Sequence, residues 1–282
     1  MAENDLPGYE RLLYQLKNTA TAKVIGITGP PGAGKSTLVN ALLNHWINQG
    51  KKIAVIAVDP SSPFNYGALL GDRIRMADFY NNPSVYIRSL ATRGALGGLH
   101  AKIIEITDVV KQGPFDYILV ETVGVGQSEV EIAGLADCTI VTLVPEAGDE
   151  VQTLKAGIME IADIFVVNKA DRDNADTLYR NLRMLAHERS MGANETPVVK
   201  TIATQKSGVD ELAIEIEKHL TTHNIVPEKK LQLLTEKCWQ LIQHRRMHGF
   251  NKTKLLSALK EAVGKPHFNL YSFTNNVVEN NS

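Results

Sequence analysis

The sequence predicts an α/β protein with a mostly parallel sheet flanked by helices, a P-loop NTPase architecture, followed by a C-terminal helical hairpin. Three observations lead there. The run Gly29-Pro30-Pro31-Gly32-Ala33-Gly34-Lys35-Ser36-Thr37 fits G-x-x-x-x-G-K-[ST] and joins a short apolar run to a helical pattern. Apolar strand-like runs then alternate with helical patterns along most of the 282 residues. One late apolar run closes on Asn168-Lys169-Ala170-Asp171.

Taken in order, residues 1–22 form a short N-terminal extension expected to be helical, and residues 23–225 the α/β domain. The apolar runs place strands at 24–28, 53–58, 85–87, 117–121, 138–144, 164–167 and 197–201. Helical patterns fill 37–48, 99–111, 152–159, 177–189 and 209–219. Pro227 suits the first turn of a new helix, so a hairpin is expected over 226–265. Leu231, Leu234, Cys238, Leu241 and Ile242 make its first apolar stripe, and Leu255, Leu256, Leu259 and Val263 its second, with Gly249 between. Such stripes suit packing on the domain or on a second subunit. Trp239, just off the stripe, is expected in a core. Residues 266–282 are Asn-rich and read as a poorly ordered or docked tail.

The bulk properties exclude several classes. With 44% hydrophobic residues the chain can fill a sizeable core, and a net charge of −1 gives no general attraction to nucleic acid or membrane. Two cysteines 100 positions apart with no CxxC, Cys138 and Cys238, argue against a disulfide framework or a thiolate metal site and suit a reducing compartment. Met1-Ala2-Glu3-Asn4-Asp5 is acidic and opens no signal-peptide apolar run, and no run of 18 apolar residues exists, so a cytoplasmic protein is expected.

The motifs carry the chemistry. A Gly-rich turn between strand and helix aims the backbone N–H groups of Gly29, Gly32, Ala33, Gly34 and Thr37 at an anion, aided by the helix dipole. Lys35 would reach the β- and γ-phosphates of a purine nucleoside triphosphate, and Ser36 would ligate Mg²⁺. In N-K-x-D the Asp171 carboxylate accepts from guanine N1–H and N2–H₂, a pair adenine lacks; Asn168 reaches the N7/O6 edge and the Lys169 stem packs along the base. Thr201-Ile202-Ala203-Thr204, after the next strand, stands where a second base-contacting loop belongs, although an ordinary loop exit reads as well. Glu121-Thr122-Val123-Gly124 ends a strand where Ras-like GTPases carry D-x-x-G: Glu121 would hold Mg²⁺, and Gly124 N–H would meet the γ-phosphate and respond to its loss. Val125 replaces the water-orienting Gln of that position, so hydrolysis is expected to be slow or to use another group, for which Asp59 is the candidate. Arg73, Arg75, Arg88 and Arg93 are secondary candidates for stabilising transition-state charge. His244-Arg245-Arg246-Met247-His248 lacks the Glu of a metalloprotease helix and reads as a solvated basic face.

Together with Val58-Asp59-Pro60-Ser61-Ser62, Gly71-Asp72-Arg73-Ile74-Arg75-Met76, Thr92-Arg93-Gly94-Ala95-Leu96-Gly97-Gly98 and Glu121-Thr122-Val123-Gly124-Val125-Gly126-Gln127-Ser128-Glu129, these motifs make the chain resemble the MeaB/MMAA (ArgK-type) GTPases of the G3E branch over residues 24–212. The resemblance implies GTP and GDP as ligands with Mg²⁺. It implies a chaperone or switch role toward an adenosylcobalamin-dependent mutase of the methylmalonyl-CoA type, with the mutase's adenosyltransferase as a further candidate partner and a homodimer as the assembly. It carries catalytic roles onto Lys35, Asp59, Asp72 and Glu121, metal roles onto Ser36, Asp59 and Glu121, and an additional switch onto residues 147–155, with Asp149 and Lys155 as its charged members. Val144-Pro145-Glu146 departs from the usual Pro-Gly, and the C-terminal hairpin matches no quotable motif. A metal-delivery GTPase is the alternative, though the chain lacks His-rich or Cys-containing motifs. A small-molecule kinase is disfavoured by the N-K-x-D loop.

Overall fold

The computed structural model describes residues 8–16, 21–59, 76–92, 99, 102–124, 128–147, 158–190, 195–222, 228–246, 252–263 and 269–279. The chain divides into two compact units, Met1–Leu231 and Gln232–Ser282.

The first unit opens with α1 (Tyr9–Tyr14) and then alternates strand and helix: β1 (Lys23–Thr28), α2 (Lys35–Asn48), β2 (Ile53–Asp59), β3 (Val85–Ala91), α3 (Ile103–Val110), β4 (Tyr117–Glu121), α4 (Ser128–Leu135), β5 (Cys138–Leu143), α5 (Ile158–Ile161), β6 (Ile164–Asn168), α6 (Ala175–Ser190), β7 (Val198–Thr201) and α7 (Val209–Thr222). All seven strands pair parallel, in the order β3-β2-β4-β1-β5-β6-β7. The predicted strands are all present. β3 runs four residues beyond the predicted 85–87, because it is an edge strand whose half-buried Arg88 and Ser89 interrupt the apolar run. α4 was not among the predicted helices, and the predicted helix 152–159 lies mostly outside the described residues.

Two apolar layers hold the sheet. On one face Ile25, Ile27, Ile53, Val55, Leu119, Ile140 and Val166 meet Leu38, Leu42 and Trp46 of α2 and Leu212 and Ile216 of α7. On the other, Val141, Leu143, Phe165 and Val167 meet Ala133 of α4 and Leu178 and Leu182 of α6. The central strands are therefore buried on both faces, which is why β1, β2, β4, β5 and β6 read as continuous apolar runs rather than alternating ones.

The N-terminal ends of the strands are registered by aspartates. Asp116 N–H donates to Lys52 O (2.8 Å) while its carboxylate accepts Lys52 N–H (2.8 Å). Asp137 makes the same two-point bracket with Val24 (2.7 and 2.8 Å), and Asp163 with Thr139 (2.9 and 2.8 Å). Each Asp directly precedes its strand, so one residue satisfies the first ladder groups and forbids a slip in register.

The second unit comprises most of α8 (Glu228–Arg246), then α9 (Lys252–Val263) and α10 (Leu270–Glu279). The division into two units falls after Leu231, inside α8, and two sequence expectations change here. Residues 270–279 of the expected tail are helical: Asn269 Oδ1 accepts the N–H groups of Tyr271 (2.9 Å) and Ser272 (3.0 Å), so this asparagine caps a helix. Trp239 is 58% exposed, and the fully buried tryptophan is Trp46. Leu231, Leu234, Leu241, Ile242, Leu255, Leu256 and Val263 are exposed as well.

Candidate nucleotide-binding site

The parallel order places the carboxyl ends of β1, β2, β4, β6 and β7 on one rim, where ligands of such sheets sit. The loop after β1 turns into α2 at Gly34, the residue before the helix, whose φ of 84° is left-handed. A side chain there would also collide with the Asn168 amide. Glycine is thus required by the turn and by its neighbour together.

Lys35 is buried, and its ammonium donates to the carbonyls of Gly29 (2.8 Å) and Pro30 (3.1 Å), across the mouth of the loop. Ser36, one residue into the helix, donates its hydroxyl to Glu121 Oε1 (2.7 Å) at the end of β4. Asp59, the last residue of β2, is buried. The register pairs Ala57 with Glu121, so Asp59 lies two residues further along on the same face, about 7 Å on. The structure thereby gathers Lys35, Ser36 and Glu121 directly and sets Asp59 on the adjacent strand end. Ser36, Asp59 and Glu121 offer a hydroxyl and two carboxylates, the all-oxygen set a hard divalent cation takes, and two buried carboxylates call for a cation or donors. These residues fit Mg²⁺.

Gly124 packs onto this loop. Its φ is 85°, and a Cβ there would strike the Gly29 carbonyl and the Lys35 ammonium. Behind it Thr122 Oγ1 and Thr28 Oγ1 share a hydrogen bond (3.0 Å), and Thr122 N–H donates to Ile27 O (3.1 Å). The E-T-V-G turn is thus fastened to β1 at its start, and Gly124 presses on the P-loop.

The N-K-x-D turn forms the other flank. Asn168 ends β6 and is 2% exposed. Its Nδ2 donates to Ala33 O in the P-loop (2.9 Å), and its Oδ1 accepts Thr201 Oγ1–H (3.0 Å) and Ala203 N–H (3.2 Å). Where the sequence predicts a base contact, the structure makes Asn168 a brace among three loops, with one amide hydrogen left for a base edge. The Ala203 N–H is likewise spent on Asn168. Lys169 adopts φ 55°, half-buried, and Asp171 is exposed at the rim, as is Thr204. Arg172 pairs with Glu146, so the residue that departs from Pro-Gly anchors the turn to the segment after β5.

Asp72, Arg73, Arg75, Arg93, Val125, Asp149 and Lys155 lie outside the described residues. Sequence reasoning missed the bracing roles of the threonines Thr28, Thr122 and Thr201. Their signal is legible in retrospect: each is a β-branched hydroxyl at or just past the end of an apolar strand run.

The family described as methylmalonyl Co-A mutase-associated GTPase MeaB matches residues 1–254. A Pyrococcus abyssi protein is 50% identical over 213 residues, 74% of this chain and 65% of its own length. The GTPase ArgK of Escherichia coli is 40% identical over 197 residues, 67% of this chain and 58% of that protein. The mouse mitochondrial methylmalonic aciduria type A homolog is 44% identical over 149 residues, 53% of this chain and 36% of that protein. The chain thus spans less than two thirds of each. The solved structure of a LAO/AO transport system kinase superposes with a TM-score of 0.65 at 26% identity, covering 96% of this chain and 85% of that one. HypB from Helicobacter pylori, solved with nickel, shares the fold at a TM-score of 0.51 and 20% identity, over 77% of this chain and 95% of its own.

Proposed function

The chain belongs to the MeaB family of methylmalonyl-CoA mutase-associated GTPases, and on that premise we propose that it binds GTP at the P-loop, hydrolyses it slowly to GDP and phosphate, and acts as a switch on an adenosylcobalamin-dependent mutase. The observation that carries the nucleotide reading is the hydrogen bond from Asn168 to the Ala33 carbonyl. It holds a guanine-type loop against a phosphate loop, as one ligand spanning both requires.

In this reading Lys35 turns from the loop carbonyls to the β- and γ-phosphates, and the N–H groups at the start of α2 receive the same oxygens. Ser36 and Glu121 hold Mg²⁺, which when bound neutralises charge on the β- and γ-phosphates. Asp59 orients the attacking water, a part that Val125 cannot play. Asp171 reads the guanine edge. Gly124 N–H contacts the γ-phosphate, so loss of that phosphate frees the E-T-V-G turn to move. The family description supports a mutase of the methylmalonyl-CoA type as partner, and its gating and protection as the task. The exposed apolar residues of α8 and α9 support a homodimer formed through the second unit.

The test is GTP turnover by the purified protein, alone and with a methylmalonyl-CoA mutase. Slow basal turnover that rises with the mutase and falls in Asp59→Ala supports the reading. Turnover unaffected by the mutase removes that partner.

A further inference from the structure

A second cluster of chemistry-bearing side chains sits at the other end of the sheet. Cys138 opens β5, Asp163 directly precedes β6, and His219 lies in the last turns of α7. A thiol sulfur, a carboxylate oxygen and an imidazole nitrogen from these three lie within 4.8 Å of one another, the only such group of three among the described residues. His219 Nε2 is 3.8 Å from Asp163 Oδ2. We infer that Cys138, Asp163 and His219 form a binding site for a divalent transition metal ion of the zinc class, independent of the nucleotide site.

The donor set argues for the metal class. One thiolate, one imidazole and one carboxylate suit zinc or cobalt(II), and none of the hard-cation sites built from oxygens alone. Zinc–sulfur and zinc–nitrogen bonds of about 2.3 and 2.0 Å at a tetrahedral angle set those donors about 3.5 Å apart. The observed separations need to close by roughly an ångström. The His219 imidazole can supply this by side-chain rotation.

The scaffold is rigid where it needs to be. Cys138 is paired with Ile25 in the ladder, and Asp163 is held by its bracket with Thr139. The core residues Ile216 and Leu220 anchor α7 on either side of His219. Three elements thus present one donor each, and the partly exposed Asp163 and His219 side chains leave a solvent-facing side for water as a fourth ligand. The bracket explains Asp163 by itself. It does not explain the convergence of a thiol and an imidazole on it, since Asp116 and Asp137 make the same bracket and neither belongs to such a group of three.

The local field agrees. Burial, then Asp163 and Asp137, push the Cys138 thiol well above its usual range, so it stays protonated and unreactive on its own. The same two carboxylates favour a cation. On binding, the ion displaces the thiol proton to solvent, and the sulfur–metal bond replaces the S–H bond. The six-residue strand β5 separates this site from the phosphate rim by about 17 Å. Metal here would clamp α7 to the β5 and β6 ends without entering the hydrolytic machinery.

Cobalt(II) titration of the full chain, without nucleotide or magnesium, tests this. The expected result is a saturable thiolate-to-cobalt charge-transfer band at one equivalent, displaced by zinc and retained in Cys238→Ser. The band is lost in Cys138→Ala. In His219→Gln, a change outside the apolar core cluster, cobalt affinity falls at least about tenfold. GTP affinity is unchanged in both variants. The proposal is overturned if the wild type gives no band, if Cys238→Ser abolishes it, or if it survives in His219→Gln with unaltered affinity.

Discussion

Replacing Asn168 with alanine tests whether one amide ties the base loop to the phosphate loop. The amide makes three bonds at a site 2% exposed: one to Ala33 O and one each from Thr201 and Ala203. Removing it leaves the Ala33 carbonyl and the Ala203 N–H, both fixed by backbone, buried without these partners, while the Thr201 hydroxyl can rotate. At about 1–3 kcal/mol for each buried group left unsatisfied, the two fixed groups cost about 2–6 kcal/mol. That is a large share of the roughly 5–15 kcal/mol that holds a domain. Thr201→Val removes one donor and leaves Asn168 bonded to Ala33 and Ala203, for a loss of about 1 kcal/mol. Urea denaturation of both nucleotide-free variants at unchanged m-value reads the difference directly. Equal losses, within about 0.5 kcal/mol, would mean that Asn168 is no more than one partner of Thr201 and does not tie the two loops together.

Three further outcomes follow from the same geometry. Ser36→Ala removes the hydroxyl that meets Glu121, and the Mg²⁺ needed for half-maximal GTP turnover should rise about tenfold or more. Gly124→Ala forces a left-handed φ of 85° on a residue with a Cβ and pushes on Lys35, so GTP turnover should fall at least about tenfold while circular dichroism stays native. Tyr117 is pushed up to about 12, first by burial and then by Glu217, whose carboxylate accepts its hydroxyl at 3.4 Å. The native state therefore keeps a proton that the unfolded chain releases near pH 10, so this contribution is whole below pH 10 and drains away up to about pH 12. Tyr117→Phe should flatten that alkaline loss of stability relative to wild type, as read by thermal melts across the range.

The strands were legible because the buried parallel sheet demands unbroken apolar runs, and the P-loop and N-K-x-D because their spacing encodes backbone geometry. What eluded sequence reasoning was relational. Nothing local marks Asn168 as a brace, since its three partners lie 33 to 135 positions away. The α4 helix hid inside a segment read for its chemistry, with Ser128 to Leu135 showing little amphipathic pattern because Ile132, Ala133 and Leu135 are buried together. The α10 helix hid behind asparagines, one of which is its cap. Trp239, just off an apolar stripe, reads as core, yet it is exposed together with the leucines of that stripe.

In the proposed function the rim reads guanine and phosphate as one ligand. Isothermal calorimetry with non-hydrolysable GTP and ATP analogues and Mg²⁺, on wild type and Asp171→Ala, tests it most directly. Asp171 is exposed, so its loss should leave the fold intact. Wild type should prefer the guanine analogue at least about a hundredfold, and Asp171→Ala should erase most of that preference. Equal affinity for both analogues, or a preference untouched by Asp171→Ala, would contradict that function.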